Sequence, residues 1–275
     1  MADEQEESVP INNVTDLLPL PPISDHDLTT LSLKEINKLL KGRSDEQELR
    51  DKRAMLKRKQ SSIKTRSKQK EAMKEYEEKR QRIAASKPKD WKQLSVKHRK
   101  KFERLLNLWD NVTLISGYGV IFEKEFLIGS GSCGTEVYIC LGSDGIERAI
   151  KRLPKQLCTK LLKNERNILN CTNAVKSPQI VNYCFYDDTS SSDFGYLILN
   201  LYEQNLEEFI KEKGETMTES YLREMIRQVL EGLKALHTRD PRILHRDLKP
   251  TNVLVDVRGG LALSDFGIGR VLPEG

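Results

Sequence analysis

Four side chains with complementary chemistry lie close together near the end of the 275-residue sequence: Asp247, Lys249, Asn252 and Asp265. A carboxylate can accept the proton of a hydroxyl group, and an ammonium group attracts phosphate. Carboxylate and amide oxygens are also the kind of ligand that Mg²⁺ takes in proteins. These residue types therefore suit the transfer of a phosphoryl group to an alcohol.

The letters that surround these residues, HRDLKPTN and then DFG, resemble the catalytic-loop and metal-loop motifs of protein kinases. The resemblance implies that Asp247 is the base, that Lys249 lies near the transferred phosphate, and that Asn252 and Asp265 hold magnesium. A Lys two residues after the Asp favours Ser or Thr over Tyr as the acceptor. The alternative is a chance tripeptide followed by a turn, which would require both motifs to occur in order by accident.

A glycine-rich segment, GSGSCGTEV, lies upstream between two β-like runs. Glycines let backbone amides approach phosphates closely, because side chains there would obstruct the approach. A dinucleotide-binding turn would open a helix, whereas residues 135–140 have the pattern of a strand. The positions expected to contact a nucleotide on this segment are Gly129, Ser130, Gly131, Ser132, Gly134 and Val137.

The next predicted strand ends in Ala149, Ile150 and Lys151. The kinase resemblance implies that Lys151 contacts the nucleotide phosphates and pairs with a carboxylate from the following helix, for which Glu165 is the best candidate. It also implies that Ala149 borders the nucleotide and that the backbone of a hinge containing Asn200 and Tyr202 meets the adenine edge. The expected cofactors are ATP and Mg²⁺.

The pattern of apolar residues predicts the elements that position these groups. Short β-like runs predict strands at 180–186 and 196–201, and helical spacing predicts helices at 206–213 and 220–237. The expected fold class is α+β. It is a two-lobed, protein-kinase-like fold with a β-rich small lobe and an incomplete helical large lobe, preceded by a mostly helical, basic region.

The N-terminal part of the sequence has a different composition. Residues 41–104 contain 24 Lys and Arg against 10 Asp and Glu, a net charge of +14, so the remainder must carry −9 to give the overall +5. Residues 1–23 are acidic and then Pro-spaced, which predicts a disordered tail. Helix-start signals predict two short helices, then a long helix over about 45–85, and a further helix from Asp90 to Trp109. The apolar residues of the last helix have helical spacing and are expected to pack inside: Val96, Phe102, Leu105, Leu106 and Trp109.

Part of this region, ISDHDLTTLSLKEINKLLKGRSDEQELRDKRAMLKRKQSSIKTR, resembles the extended homology and basic regions of Maf-type bZIP transcription factors. The resemblance implies that a basic helix contacts DNA in the major groove. Arg58 stands where that family has its base-reading Asn, so salt-sensitive phosphate binding is the expected mode. The alternative is a solvated charged helix without a ligand. The expected contacts, within residues 50–70, are Lys57, Arg58, Lys59, Lys64, Arg66, Lys68 and Lys70.

The letters FGYLILNLYEQNLEEFI and the motifs above are similar to the inositol-requiring kinase and endoribonuclease family of the unfolded-protein response. In that family a ribonuclease domain follows the kinase and cleaves RNA after dimerisation. Gly275 lies eight residues past Gly267, so the kinase domain is expected to be truncated after DFG. The predicted domains are a disordered tail at 1–23, a Maf-like helical and basic region at 24–85, a helix and linker at 86–119, and a C-terminally incomplete kinase domain at 120–275.

The start, MADEQEESVP, lacks a basic segment followed by an apolar run, and no apolar run approaches 18 residues, so neither a signal peptide nor a membrane span is expected. Five unevenly spaced cysteines without CxxC indicate neither a zinc site nor a disulfide framework, which favours the cytoplasm or nucleus. The predicted function is an ATP-dependent Ser/Thr protein kinase of inositol-requiring type with a protein substrate, and homodimer formation is left open. The alternative is a catalytically impaired nucleotide-binding chain that acts through its basic helix on nucleic acid or a partner.

Overall fold

The computed structural model describes residues 46–238 and 241–272, without the side chains of residues 46–53, 56, 157–159, 172 and 173. The tail at 1–23 and the two short helices predicted after it lie outside the described residues. Contacts divide the chain into two compact units, Met1–Ala72 and Met73–Gly275. The division into four domains stays a prediction.

The described residues form six α-helices and twelve β-strands. The helices are α1 (Glu46–Ser86), α2 (Arg99–Asn107), α3 (Lys155–Leu169), α4 (Thr172–Lys176), α5 (Leu206–Lys213) and α6 (Glu219–His237). The strands are β1 (Thr113–Ile115), β2 (Tyr118–Val120), β3 (Leu127–Ser130), β4 (Glu136–Gly142), β5 (Glu147–Pro154), β6 (Tyr183–Asp187), β7 (Phe194–Asn200), β8 (Gln204–Asn205), β9 (Ile243–Leu244), β10 (Val253–Val255), β11 (Leu261–Leu263) and β12 (Arg270–Val271). None of the helices in this part of the chain is long and apolar enough to cross a membrane.

Helix α1 confirms the long helix predicted over about 45–85. Its sequence is dominated by Lys, Arg, Glu and Gln, which are good helix formers, and most of its described side chains are exposed. Its last turns carry an apolar anchor: Ile83 is buried, and its carbonyl oxygen accepts a hydrogen bond of 3.0 Å from the indole nitrogen of Trp109. The end of this charged helix is therefore part of the folded core of the second unit.

The prediction that a helix begins at Asp90 was wrong, because α2 begins only at Arg99. The backbone N–H groups of residues 94 and 95 instead donate to the carboxylate of Glu147, at 3.2 and 2.7 Å. Val96, which was predicted to pack inside, is 76% exposed. Hydrogen bonds to a distant carboxylate have thus overridden the local helix signal, whereas three of the predicted packing residues are buried as expected: Phe102, Leu105 and Trp109.

Seven strands of the second unit form an antiparallel sheet in the order β1-β2-β4-β5-β7-β6, and β3 pairs with the first residues of β4. The chain turns at Ser116 and Gly117 between β1 and β2 of this sheet, with Gly117 at a φ of +87°. Side chains from α2, from the sheet and from short turns next to them form one buried cluster, which includes Phe102, Leu105, Trp109, Phe126, Ile139 and Ile198. This sheet is the β-rich small lobe that the sequence predicts.

The larger lobe contains two small sheets, β11-β10-β8 and β12-β9, together with α5 and α6. A second buried cluster joins these elements to α3; it includes Leu169, Met225, Leu236, Val253, Leu263 and Phe266. Three large apolar side chains of α6 are 43–59% exposed: Leu222, Ile226 and Leu230. The two-lobed α+β fold class predicted from the sequence is confirmed.

A buried carboxylate, Asp187, holds the turn after β6 against the turn after β1. It accepts hydrogen bonds from the hydroxyls of Ser116 at 2.6 Å and Ser190 at 2.5 Å, and from the backbone N–H groups of Thr189 and Ser190 at 2.8 and 2.9 Å. Burial alone would raise the pKa of this carboxyl, but these donors outweigh burial and hold the pKa well below its usual range.

We expect the Asp187→Asn variant to lose about 1–3 kcal/mol of unfolding free energy at neutral pH, because an amide places donors among existing donors. The folded-state pKa is depressed, so the carboxylate's contribution is complete above the unfolded-state pKa of about 3.9 and declines as the pH falls below it. Urea unfolding at several pH values between 7 and the lowest pH at which both proteins fold should show the difference between variant and wild type narrowing in acid. A constant difference would contradict this role.

Candidate active site

The residues 245–252 form a loop between β9 and β10, and the side chains predicted to do chemistry meet there. One carboxylate oxygen of Asp247 accepts hydrogen bonds from the Lys249 amine and from the Asn252 amide nitrogen, both at 2.9 Å. The hydrogen bond from Lys249, followed by that from Asn252, lowers the pKa of Asp247 against the effect of burial. Asp247 is therefore ionised at neutral pH and can accept a proton.

His245 links this loop to the loop that contains Asp265. Its ring is buried against the Phe266 ring, with centroids 4.7 Å apart, and its Nε2 lies 2.9 Å from the Ser264 carbonyl oxygen. Burial lowers the pKa of His245, so the ring is neutral at physiological pH. The hydroxyl of Ser264 also donates to the Asn252 carbonyl oxygen at 3.0 Å, so the two loops are joined by several bonds.

Lys151 on β5 contacts two carboxylates from distant parts of the chain. Its amine lies 2.7 Å from a Glu165 oxygen on α3 and 2.9 Å from an Asp265 oxygen. Burial alone would lower the pKa of Lys151, but the two carboxylates raise it above its ordinary value, so the amine stays charged. The pair that the sequence predicts between Lys151 and Glu165 is thus present and nearly inaccessible to solvent.

The side chains of Asn252 and Asp265 fit the magnesium ion that the sequence predicts. No group of three or more His, Cys, Asp or Glu side chains that could hold a metal occurs in the described part of the chain. Magnesium bound to nucleotide phosphates keeps several waters and needs only one or two protein ligands, for which one carboxylate and one amide oxygen suffice. Asp265 also has a left-handed backbone, with φ at +64°, a costly conformation that clusters at functional sites.

The glycine-rich loop connects β3 to β4, as predicted for a phosphate-covering loop and not for a dinucleotide-binding turn. The N–H of Gly131 donates to the Thr135 carbonyl oxygen at 2.9 Å and closes the loop. An added Cβ at Gly129 or Gly131 would meet its nearest neighbour at an ordinary 3.7 or 3.5 Å, so no internal clash requires glycine there. Because glycine has no side chain, open space remains at these two positions. Six predicted nucleotide positions lie on this loop or its flanking strands: Gly129, Ser130, Gly131, Ser132, Gly134 and Val137.

The predicted hinge, Asn200 to Tyr202, begins at the last residue of β7. Ala149 on β5 pairs with Leu199 on β7, and both are buried beside it. The N–H of Asn200 donates to the Asn182 carbonyl oxygen at 3.0 Å, so an adenine edge at the predicted hinge would have to bind other backbone groups. Burial, then the charge of Asp256, raises the pKa of Tyr202 to about 12, so its hydroxyl stays neutral.

Residues 91–98 contact Glu147 on β5 and Glu203 next to the predicted hinge, and the sequence did not indicate these contacts. The Trp91 indole nitrogen donates to Glu147 of β5 at 3.0 Å. Further along, the backbone N–H of Lys97 donates to Glu203 at 2.6 Å, and the Lys97 amine lies 3.2 Å from Glu212 on α5. The segment is thus bonded to both lobes. The only sequence signal for the contacts of Lys97 is its opposite charge to Glu203 and Glu212, which lie about a hundred residues later.

The predicted nucleic-acid contacts lie on α1. Among these side chains, those of Lys57, Arg58, Lys59 and Lys64 are exposed, and that of Arg66 is partly buried. From residue 52 to residue 70 the helix carries nine Lys and Arg and no Asp or Glu. This segment is therefore a positively charged and accessible helical surface.

The fold and the geometry of the site define a protein kinase domain, and comparison with known families gives the same answer. The protein kinase domain family matches residues 122–275, more than half of the chain. The chain therefore belongs to the protein kinase family.

Curated relatives include several Ser/Thr kinases. A probable serine/threonine-protein kinase MRK1 homolog of Encephalitozoon cuniculi is 34% identical over 149 residues, which are 54% of this chain and 45% of that protein. Mitogen-activated protein kinase kinase kinase 5 of Arabidopsis thaliana is 33% identical and covers 55% of this chain and 21% of its own length. The serine/threonine-protein kinase/endoribonuclease ire-1 of Caenorhabditis elegans is 31% identical, with 58% and 16% covered. The matched region spans less than half of each of these relatives.

Proposed function

We propose that this chain is an ATP- and magnesium-dependent Ser/Thr protein kinase. The observation that carries the proposal is the contact of Lys151 with both Glu165 and Asp265. It joins strand β5, helix α3 and the loop that contains Asp265, and it fixes a positive charge of the kind that a nucleotide's phosphates need. The ionised Asp247 supports the same function from the opposite lobe.

In the proposed reaction the chain positions its substrates and moves one proton. Lys151, held by Glu165, orients the nucleotide phosphates. Asp247 accepts the proton of the acceptor hydroxyl, and the Lys249 amine stabilises negative charge on the phosphoryl group as it moves. Magnesium held by Asn252 and Asp265 would neutralise charge on the phosphates. These roles require little covalent chemistry from the protein, since positioning and charge supply most of the catalysis of phosphoryl transfer.

The direct test is transfer of γ-³²P from Mg-ATP to two matched peptide libraries, one with Ser and Thr acceptors and one with Tyr. We expect label in the Ser/Thr library and little in the Tyr library. Equal labelling would remove the Ser/Thr assignment, and no labelling of either library, or of the chain itself, would favour the alternative function below.

Within the Ser/Thr kinases, we infer an inositol-requiring type. The segment FGYLILNLYEQNLEEFI and the match to ire-1 support this subclass. Mitogen-activated protein kinases match over comparable lengths, so the choice of subclass rests on the segment. Because that subclass dimerises, a homodimer is the proposed assembly, and sedimentation at several concentrations tests it. The proposed location is the cytoplasm or nucleus, in keeping with the cysteine pattern.

We propose nucleic-acid binding by α1 as a second function, favoured by its acid-free basic segment at residues 52–70. Exposed Lys and Arg at this density release counterions when they meet phosphates, so the affinity should fall steeply with salt. The resemblance to Maf-type basic regions supports a duplex as the ligand. Because Arg58 replaces the base-reading Asn, little sequence preference is expected.

We expect replacement of Lys57, Arg58 and Lys59 with Glu to weaken duplex binding at 50 mM salt at least about tenfold. The slope of log affinity against log salt should fall by up to about 3, near 0.9 for each lost contact. Fluorescence anisotropy with a labelled duplex measures both quantities. Replacement of Lys79, Arg80 and Arg82, in the mixed-charge part of the same helix, is the matched control. Equal effects of the two triple variants would contradict a site at residues 52–70.

A further inference from the structure

Helix α3 presents two neighbouring polar side chains to different parts of the site. Glu165 faces Lys151, as described above. Asn164, one residue earlier and about 100° around the helix, faces the backbone that follows Asp265. Its amide nitrogen lies 3.0 Å from the Gly267 carbonyl oxygen and 2.8 Å from that of Gly269, with the Phe266 carbonyl oxygen at 3.4 Å.

The contacted backbone is tightly enclosed. An added Cβ at Gly269 would lie 2.7 Å from the Ile168 side chain of α3 and 3.2 Å from the Leu244 carbonyl oxygen of β9. The N–H of Gly269 donates to the Phe266 carbonyl oxygen at 2.9 Å, so residues 266–269 form a turn. This turn therefore lies directly against α3, and the Asn164 amide supplies the donors for its inward carbonyls.

The Asn164 contact differs in kind from the ion pair beside it. Glu165 is linked to Asp265 through Lys151, whose amine also serves the nucleotide phosphates in the proposed function, and its carboxylate accepts a hydrogen bond from the backbone of Phe266. The link from Asn164 reaches the backbone after Asp265 directly and uses no group that the nucleotide or magnesium would contact. Asn164 can therefore hold the metal loop against α3 when the Lys151 amine exchanges a carboxylate contact for a nucleotide phosphate.

We propose that Asn164 is a positioning residue that holds Asp265 where it can bind magnesium, and so sets the affinity for the magnesium–nucleotide complex. The inference rests on the proposed function. It assigns a role to Asn164, which lies next to the ion pair in the sequence but takes no part in the phosphoryl transfer itself.

The test compares the affinity for ATP in excess magnesium with the affinity in EDTA, by calorimetry, for wild type and for Asn164→Leu and Asn164→Asp. Both variants remove the amide donors, so the ratio of the two affinities should fall about tenfold while the magnesium-free affinity stays within about twofold. Asn167→Leu is the matched control, because residue 167 lies one turn away on the exposed face of α3 and should keep the wild-type ratio. An unchanged ratio in both Asn164 variants, or an equal loss of the two affinities, would overturn the proposal.

Hydrogen exchange of residues 264–271 separates this inference from the proposed function. Faster exchange of these amides in Asn164→Leu, but not in Asn167→Leu, is expected whether or not nucleotide is present. If wild type binds no nucleotide, the proposed function fails; faster exchange would then still support the positioning contact, and unchanged exchange would overturn it too.

Discussion

The Asp247→Asn variant is expected to transfer phosphate to a Ser/Thr peptide about 10²–10⁴-fold more slowly than wild type, with an almost unchanged affinity for Mg-ATP. The amide keeps the size and approximate hydrogen-bonding shape of the carboxylate but cannot accept a proton. The Lys249 and Asn252 donors that now contact Asp247 hold the carboxylate ionised and fix its direction, so its replacement removes a poised base. Initial rates at saturating ATP, with a separate titration of nucleotide, measure the two effects.

Asp110→Asn is the matched control, because Asp110 is exposed on the small lobe, outside the catalytic loop. It should retain the wild-type rate. Two results would contradict the assignment of Asp247 as the base: a rate within about threefold of wild type, outside the range for a lost general base, or a loss of rate explained entirely by weaker nucleotide binding.

The Lys151→Met variant is expected to lose both nucleotide affinity and stability. Methionine fills a similar volume, but its thioether leaves the Glu165 carboxylate buried without its cation. Removing one partner of a buried ion pair typically costs about 3–5 kcal/mol. Urea unfolding measures the loss of stability, and calorimetry with Mg-ATP measures the loss of binding.

A second substitution tests whether the buried charge is the cause. Adding Glu165→Gln to Lys151→Met removes the uncompensated carboxylate, so the double variant should be more stable than Lys151→Met alone while binding nucleotide no better. If the two substitutions instead lower stability additively, the two side chains do not act as an ion pair in the folded protein.

The groups that are proposed to do the chemistry could be predicted from the sequence because their spacing is fixed by local backbone geometry. The catalytic loop between β9 and β10 and the glycine-rich loop between β3 and β4 each lie within a few consecutive residues. The pairing of Lys151 with Glu165 was within reach as well, since a strand that leads directly into a helix limits which carboxylate can return to the amine.

The features that the sequence did not predict correctly depend on contacts between distant residues. The helix predicted from Asp90 had a local start signal and apolar spacing, but Glu147 and Glu203, far away in the chain, bind the backbone N–H groups of residues 94–97. Asn164 gives no sequence signal at all, because a single amide on a helix is ordinary until its three carbonyl partners, about a hundred residues later, are known. Long-range polar contacts of this kind have no local pattern.

The most direct test of the account is a calorimetric titration of the purified chain with ATP in the presence of magnesium. We expect saturable binding at one site per chain, weakened when magnesium is chelated and weakened again by Lys151→Met. A folded chain that takes up no adenine nucleotide with magnesium present would contradict it.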